Sequence, residues 1–113
     1  MATTSPVPPL LGGPRRTQVL VLTALLGETY PTELARLLQA PVYSVQRIVD
    51  GLDKAGVFAT RLSGRTRRVS LDPRFFAFKE LRQLLLRLAE ASPELQELAV
   101  RRRSRPRRAG KPM

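Results

Sequence analysis

Hydrophobic residues recur at helical spacing in three segments of the first half of the chain. The pattern predicts a first helix over residues 15–26, preceded by Pro14, and a second helix over residues 31–38. A third helix is predicted over residues 42–55, followed by Gly56 in the position of a helix-ending glycine. The inward positions of the third helix are predicted to be Val45, Ile48, Val49 and Leu52.

Beyond Gly56 the hydrophobic positions alternate with polar ones. Residues 57–62 and 67–71 are predicted as two strands joined by a turn over residues 63–66. Val69 and Leu71 point to one face of the second strand, so this hairpin has one apolar and one polar face.

Helical spacing returns after the hairpin. Asp72 and Pro73 are a suitable N-cap and first residue for a long helix ending near residue 91. A short helix is predicted over residues 92–100. Inside the long helix the predicted apolar stripe is Leu81, Leu84, Leu85 and Leu88.

The predicted fold is mainly α with a small β-hairpin: a three-helix core, a two-stranded hairpin and a C-terminal helix. Residues 1–13 are rich in proline and glycine and are expected to form a flexible N-terminal segment. Residues 14–91 form the predicted domain, and residues 92–100 the short helix. Residues 101–113 are expected to be a basic, disordered tail.

Charge points to a polyanionic partner. The formal net charge is +11, and residues 101–113 hold seven basic residues and no acidic one. Basic residues bind nucleic acid by releasing its counterions, although charge alone does not separate DNA from RNA or an anionic membrane. The chain has no cysteine and no histidine, which argues against zinc sites, thiolate chemistry and histidine acid–base catalysis. We expect no catalytic residue, no metal site and no cofactor.

The outward face of the third helix carries the candidate base-reading residues. Glutamine can pair with adenine and arginine with guanine through two hydrogen bonds each, so Gln46 and Arg47 are the first candidates. Asp50 would repel phosphate, so it is expected either to lie behind the groove or to orient Arg47. The full candidate set on this helix is Val42, Tyr43, Ser44, Gln46 and Arg47.

Several short motifs together resemble the winged helix-turn-helix repressors of the ArsR and MarR types. They are Glu33-Leu34-Ala35, Ser44-Val45-x-Arg47 and Leu52-x-x-Ala55-Gly56-Val57. The segment Val69-Ser70-Leu71-Asp72-Pro73 is similar to an ArsR-like subgroup linked with nucleotidyltransferase domains. The resemblance covers about residues 17–90 and implies a homodimeric transcriptional regulator, in which residues 14–91 are the DNA-binding domain.

Two features depart from that resemblance. Metal-sensing members use cysteine and histidine ligands, and this chain has neither. Gln39-Ala40-Pro41 also stands where the more usual turn is Gly-Leu-Ser. An ArsR-like protein without metal ligands is therefore the expectation.

In such folds the hairpin, or wing, reaches the minor groove or the DNA backbone. The candidate wing residues are Arg61, Arg65, Arg67 and Arg68. Arg65, at the predicted tip, is the first candidate for insertion into a narrow minor groove, whose negative potential attracts arginine. Tail residues would add phosphate contacts, and the candidates there are Arg101, Arg102, Arg103 and Arg105.

Surplus apolar residues favour association of two chains. Leu86 lies off the stripe of the long helix. Leu20 and Val21 lie off the stripe of the first helix, which is Val19, Leu22, Leu25 and Leu26, so the first helix is either central to the core or part of a subunit contact. Phe75, Phe76 and Phe78 add further apolar surface. We therefore expect a homodimer formed through the terminal helices.

The resulting functional prediction is a cytoplasmic, sequence-specific, double-stranded DNA-binding regulator of transcription, acting as a dimeric repressor. Alternatives are a protein–protein interaction module, a non-specific architectural nucleic-acid-binding protein, and RNA binding by the tail. Arg15-Arg16 before the apolar run of residues 19–26 resembles a twin-arginine export signal. No small-x-small cleavage site follows it, and the run is too short to span a bilayer.

Overall fold

The computed structural model describes residues 11–104, the last two of them as backbone only. Five helices and one two-stranded antiparallel sheet make up this part of the chain, which confirms the predicted combination of helices and hairpin. The elements in chain order are α1 Pro14–Leu26, α2 Pro31–Leu38, α3 Val42–Lys54, β1 Phe58–Ser63, β2 Thr66–Leu71, α4 Phe78–Glu90 and α5 Pro93–Ser104.

Helix α1 lies at the centre of the hydrophobic core. Pro14 opens the helix, and four consecutive residues from Val19 to Leu22 are buried. Contacts with α3, β2, α4 and α5 surround it. Of the two roles expected for the first helix, the central place in the core is the one observed, since Leu20 and Val21 are buried within the chain.

Helices α2 and α3 pack against each other across a short turn. Gln39 ends α2 in the left-handed conformation, with φ at 54°. The N–H of Ala40 donates to the carbonyl oxygen of Ala35 at 2.9 Å, and Pro41 precedes α3 in extended conformation. Of the predicted inward residues of α3, Ile48 is half-buried against the core, whereas the others are fully buried, namely Val45, Val49 and Leu52.

The hairpin packs its apolar face on the helices. Phe58 pairs with Leu71 and Thr60 with Val69 across the two strands. Gly64 has φ at 66°, which suits the first central position of a two-residue type II′ turn. Thr29, in the α1–α2 loop, exchanges hydrogen bonds of 2.9 and 2.8 Å with Val69. The loop before α2 is thereby fastened to the open edge of β2.

Helix α4 begins later than the sequence predicts. Asp72 accepts the N–H of Arg74 as an N-cap would, but the chain then makes two tight turns closed by bonds from Phe75 to Asp72 and from Phe78 to Phe75. Regular helix starts only at Phe78, with Ala77 before it. In this conformation Phe75 lines a groove together with Leu20 of α1, Leu52 of α3 and Leu81 of α4.

The buried side of α4 also differs from the predicted stripe. Leu85 and Ala89 are buried, and Leu86 is half-buried against the core, whereas Leu84 is 40% exposed. Helix α5 packs on α4 as well as on α1, so the inward side extends toward the small Ala89. Leu86, counted among the surplus apolar residues, therefore packs partly against this chain's own core.

Helix α5 is longer than predicted. A short helix ending at residue 100 and a disordered tail from residue 101 were predicted, but α5 continues to Ser104. A partly buried ion pair between Arg102 and Glu33, described below, holds this additional turn against α2. Residues 105–113 lie outside the described part of the chain. Within that part, no helix combines the length and hydrophobicity needed to cross a membrane.

Candidate nucleic-acid interface

The outward face of α3 presents a mixed polar and apolar surface. Gln46 and Arg47 are exposed, as are Val42 and Tyr43, while Ser44 is half-buried. The guanidinium of Arg47 lies over the ring of Tyr43, 5.8 Å from its centroid. This cation–π contact, one helical turn apart, steadies both side chains on the exposed face. Four of the five predicted α3 residues are therefore exposed, and the fifth, Ser44, is half-buried.

Two aspartates of α3 hold the hairpin in place. Asp50 accepts a bond from Nη1 of Arg67 at 2.7 Å, and Asp53 lies 3.5 Å from Nη2 of the same side chain. Thr60 on β1 donates to Asp53 at 3.1 Å. Of the two roles expected for Asp50, the orientation of Arg47 is not the one observed, because the carboxylate is paired with Arg67 instead. Arg67 itself was expected to contact DNA, but in this structure it is paired with α3.

The opposite face of the hairpin carries two further arginines with partners. Arg61 and Arg68 are opposite each other across the strands. Arg61 donates to a carboxylate oxygen of Glu28 at 3.0 Å, and Arg68 lies over the ring of Tyr30, 5.7 Å from its centroid. The ion pair is exposed and contributes little stability. Because both partners lie in the α1–α2 loop, the positions of these two guanidinium groups depend on that loop.

Arg65 differs from the other three hairpin arginines. It occupies the exposed turn, and within residues 11–104 no ion pair or cation–π contact is formed by its side chain. Arg65 and Gln46 both line an open cleft of about 210 Å³. The start of α2 contributes to it as well, and the remaining lining residues are Tyr30, Pro31, Thr32, Thr66 and Arg67. The cleft therefore unites the tip of the hairpin, α2 and the outward face of α3.

The tail candidates have divergent surroundings. Arg101 forms an exposed, long ion pair of 3.5 Å with Glu97. Arg102 instead donates from Nε to Glu33 at 2.9 Å and from Nη2 to the carbonyl oxygen of Glu28 at 3.0 Å. Two nitrogens of the Arg102 guanidinium are thus held by the α1–α2 loop and α2, and its phosphate contact stays a prediction. The side chains of Arg103 and Arg105 lie outside the described part of the chain.

Glu33 and its surroundings were missed by sequence reasoning. This carboxylate is 4% exposed and also accepts a 2.6 Å bond from the hydroxyl of Thr29. Thr29 and Glu33 are four residues apart at the start of a helix, so the hydrogen bond between them is a local contact that the sequence could have indicated. Arg102, the third member of this cluster, is 69 positions away, and no local pattern reveals such a pair.

Anion binding is the chemistry that this surface offers. Among residues 11–104, no group of three or more carboxylate side chains is placed to hold a metal ion. The cleft and the hairpin turn instead present guanidinium, amide and hydroxyl groups, which donate hydrogen bonds to phosphate oxygens and base edges. Comparison with protein-family models, curated proteins and solved structures gives no match to this chain.

Proposed function

We propose that the chain is a winged helix-turn-helix protein that binds double-stranded DNA in a sequence-specific manner and regulates transcription as a dimeric repressor. In this proposal α3 is the recognition helix and the β1–β2 hairpin is the wing. The observation that carries the proposal is the common cleft of Gln46 and Arg65, which unites the outward face of α3 with the tip of the hairpin.

The shape of the surface supports this assignment. A B-form major groove is about 12 Å wide and admits one α-helix. Helix α3 offers a long exposed face, and Asp50 and Asp53 fasten Arg67 of the hairpin beside it. A helix inserted in the major groove would thus carry the hairpin to the adjacent backbone in a fixed relation. That arrangement is how helix-turn-helix proteins with flanking arms read a groove and its borders.

The proposed division of labour follows from the contacts. Gln46 and Arg47 read base edges, and Val42 and Tyr43 contact thymine methyl groups. Ser44 binds a phosphate. Arg65 enters or borders the minor groove, because the other hairpin arginines are engaged by acidic or aromatic partners.

Repression would be steric, with a dimer occupying an operator that overlaps a promoter. Two recognition helices would then read half-sites about 34–36 Å apart. Exposed apolar residues of the described chain are available for such an association: Phe76 is 93% exposed, and Leu84 lies on the outer side of α4. Burial of both in a dimer would remove apolar surface from water.

Alanine substitution at Gln46 and at Arg47 tests the proposal. Each variant should lose discrimination at one or two base positions by about 1–3 kcal/mol, while its affinity for random duplex changes little. Arg82→Ala is the matched control, since Arg82 is an exposed arginine on α4. Equal losses on selected and random DNA would contradict the assigned roles.

Other outcomes discriminate the rival functions. If the chain shows no preference among duplexes but binds all of them, it is an architectural protein. If single-stranded RNA displaces duplex DNA, the basic tail is the working element. If neither nucleic acid binds at moderate salt, the exposed apolar residues indicate a protein-interaction module instead.

A further inference from the structure

A cavity of about 650 Å³ lies between α1, the end of α2 and α5, and is called the α2–α5 cavity below. Its volume falls within the range of roughly 300–1,000 Å³ that is usual for sites that bind small molecules. It shares no lining residue with the cleft of Gln46 and Arg65. A molecule bound in the α2–α5 cavity would therefore touch none of the residues of the candidate DNA-binding cleft.

Leucine side chains form the apolar part of this cavity. Leu95 and Leu98 are about one turn apart on α5, and Leu37 and Leu38 end α2. Leu95 is buried, whereas the other three are half-buried, so part of their surface remains in contact with water. An apolar molecule that covered these leucines would remove that surface from water, which favours its binding.

The charged residues of the α2–α5 cavity are mainly arginines. Arg36, Arg101 and Arg102 line it together with a single glutamate, Glu94. This excess of two positive charges favours an anionic ligand. Glu94 and Arg101 are seven positions apart on α5, which corresponds to about 10 Å along a helix. The anionic group of a ligand is therefore expected beside the last turn of α5, away from Glu94.

Two of these arginines are available to a ligand. Arg36 is exposed, and within residues 11–104 its side chain forms no ion pair. The side chain of Arg101 is 64% exposed, and its ion pair with Glu97 is long, at 3.5 Å. An exposed pair of this kind contributes little stability, so a ligand carboxylate can replace Glu97 at small cost.

The ion pair between Arg102 and Glu33 places Arg36 and Arg101 in one cavity. Arg102 of α5 donates to Glu33 of α2 at 2.9 Å. Arg36 follows Glu33 by three positions, about one helical turn, and Arg101 directly precedes Arg102. The last turn of α5 is thus held beside the part of α2 that carries Arg36. A carboxylate can accept hydrogen bonds from two guanidinium groups, one at each oxygen.

The carbonyl groups at the end of α2 are largely engaged. Free carbonyl groups at the end of a helix carry partial negative charge, which would disfavour an anion nearby. Here the N–H of Gln39 donates to the carbonyl oxygens of Ala35 and Arg36. The carbonyl oxygen of Leu38 accepts a bond from Nη1 of Arg15 at 3.4 Å. This helix end therefore presents little free negative charge to the α2–α5 cavity.

We propose that the α2–α5 cavity binds a small organic anion that consists of an apolar body and a carboxylate. Arg36 and Arg101 hold the carboxylate, and the apolar body lies on the leucines of α2 and α5. Arg102 contributes positive potential, since two of its nitrogens are bonded within the chain. An inorganic anion such as phosphate would satisfy only the arginines and leave the leucines in water. The proposal goes beyond the proposed function and does not depend on DNA binding.

Isothermal titration calorimetry of the full chain with naphthoate tests the chemical class of the ligand. Naphthoate carries a carboxylate on an aromatic body, and naphthamide is its uncharged counterpart. Naphthoate should bind as one molecule per chain, and naphthamide about tenfold more weakly, because hydrogen bonds between charged groups are the stronger ones. Equal affinities of the two compounds, absence of saturable binding, or phosphate bound as tightly as naphthoate would overturn the proposal.

Two arginine variants test the position of the carboxylate. Arg36→Met and Arg101→Met each remove the guanidinium from an exposed side chain, so the fold should be kept. Each variant should weaken naphthoate by about tenfold and leave naphthamide unchanged. Arg87→Met is the matched control, because Arg87 is an exposed arginine on α4 that also pairs with a nearby glutamate, Glu90. A loss in Arg87→Met as large as that in the cavity variants would reject the assigned contacts.

Methyl resonances of the leucines test the position of the apolar body. The aromatic ring of naphthoate shifts the NMR signals of the methyl groups that it covers. In leucine-labelled protein the largest shifts should belong to the four leucines of the α2–α5 cavity. Leu62 and Leu84 are internal controls, because both are exposed and lie outside the cavity. Shifts centred on these two residues would show unspecific adhesion to exposed apolar side chains, and the proposed site would be wrong.

Discussion

The guanidinium of Arg102 lies 2.9 Å from the buried carboxylate of Glu33, although 69 positions separate the two residues in the chain. This contact closes the described chain on itself by joining the last turn of α5 to the first turn of α2. It also explains why α5 continues into the arginine-rich segment, where the composition predicts a disordered tail.

Loss of this ion pair should destabilise the fold. Arg102→Met keeps most of the aliphatic stem but leaves Glu33 buried with one donor, so the free energy of unfolding should fall by about 1–3 kcal/mol. Urea denaturation measures the change. Arg101→Met should cost under about 0.5 kcal/mol, because its ion pair is exposed. Equal effects of the two substitutions would show that the contact between Arg102 and Glu33 contributes nothing to the free energy of unfolding.

The fold was predictable wherever the information is local. Pro14 and Pro31 mark the starts of α1 and α2, so the bounds of these two helices were obtained from the sequence. Gly56 marks the end of α3, and apolar spacing identified the inward side of that helix. The start of α4 was not obtained, because the N-cap hydrogen bond of Asp72 forms but two tight turns then replace the first part of the predicted helix.

The candidate site divides in the same way. Exposure of Gln46 and Arg47 follows from helical periodicity alone. The pairing of the hairpin arginines does not follow from periodicity. Arg67 meets a carboxylate on α3, and Arg61 meets one in the α1–α2 loop. Such contacts depend on how elements pack, and a list of arginines in sequence order does not reveal them.

Arg65 and Arg67 should differ in their effects on DNA binding. If Arg65 contacts DNA directly, Arg65→Ala should lower the slope of log affinity against log salt by about one. Arg67→Ala should leave that slope nearly unchanged, since Arg67 is paired with Asp50. Binding titrations at several salt concentrations measure both. Identical slopes for the two variants would contradict the separate roles.

Replacement of Gln39 by glycine should stabilise the protein. Gln39 has φ at 54°, a left-handed conformation that is unfavourable for residues with a Cβ atom. Its N–H bond to the carbonyl oxygen of Arg36 would be kept. The gain should be about 0.5–1 kcal/mol, reduced by the greater freedom of glycine in the unfolded chain. A loss of stability by urea denaturation would count against strain at this turn.

Gly51→Ala offers a second stabilising change, within α3. A Cβ atom there would lie 3.7 Å from a guanidinium nitrogen of Arg16, an ordinary contact distance. Alanine is favoured over glycine inside helices by about 1 kcal/mol, and this gain should appear in full. DNA affinity should be unchanged. A lower affinity at unchanged stability would show that DNA approaches α3 closely at Gly51.

Acid should weaken one turn of the structure in a defined direction. Arg74 donates to Asp72 from its side chain and from its backbone N–H, and these hydrogen bonds hold the pKa of Asp72 below its ordinary value. A carboxyl group whose pKa is lowered in the folded state stabilises the fold at pH values above its ordinary pKa of about 4. This contribution disappears as the pH falls through the pKa of the folded state.

Asp72→Asn isolates that effect. The stability difference between the native chain and this variant should be larger at about pH 6 than at about pH 3, because only the native chain loses a charged acceptor on acidification. Denaturant midpoints at the two pH values provide the comparison. A difference that is constant with pH would mean that the Asp72–Arg74 contact is not formed in solution.

Selection of bound duplexes from a random library tests the central claim most directly. The full chain is used at about 150 mM salt, where non-specific phosphate contacts are weakened. The proposed function predicts an enriched inverted repeat with half-sites about one helical turn apart, and loss of single positions when Gln46 or Arg47 is replaced by alanine. A library that remains random after repeated rounds, although the protein is folded, would contradict sequence reading by α3.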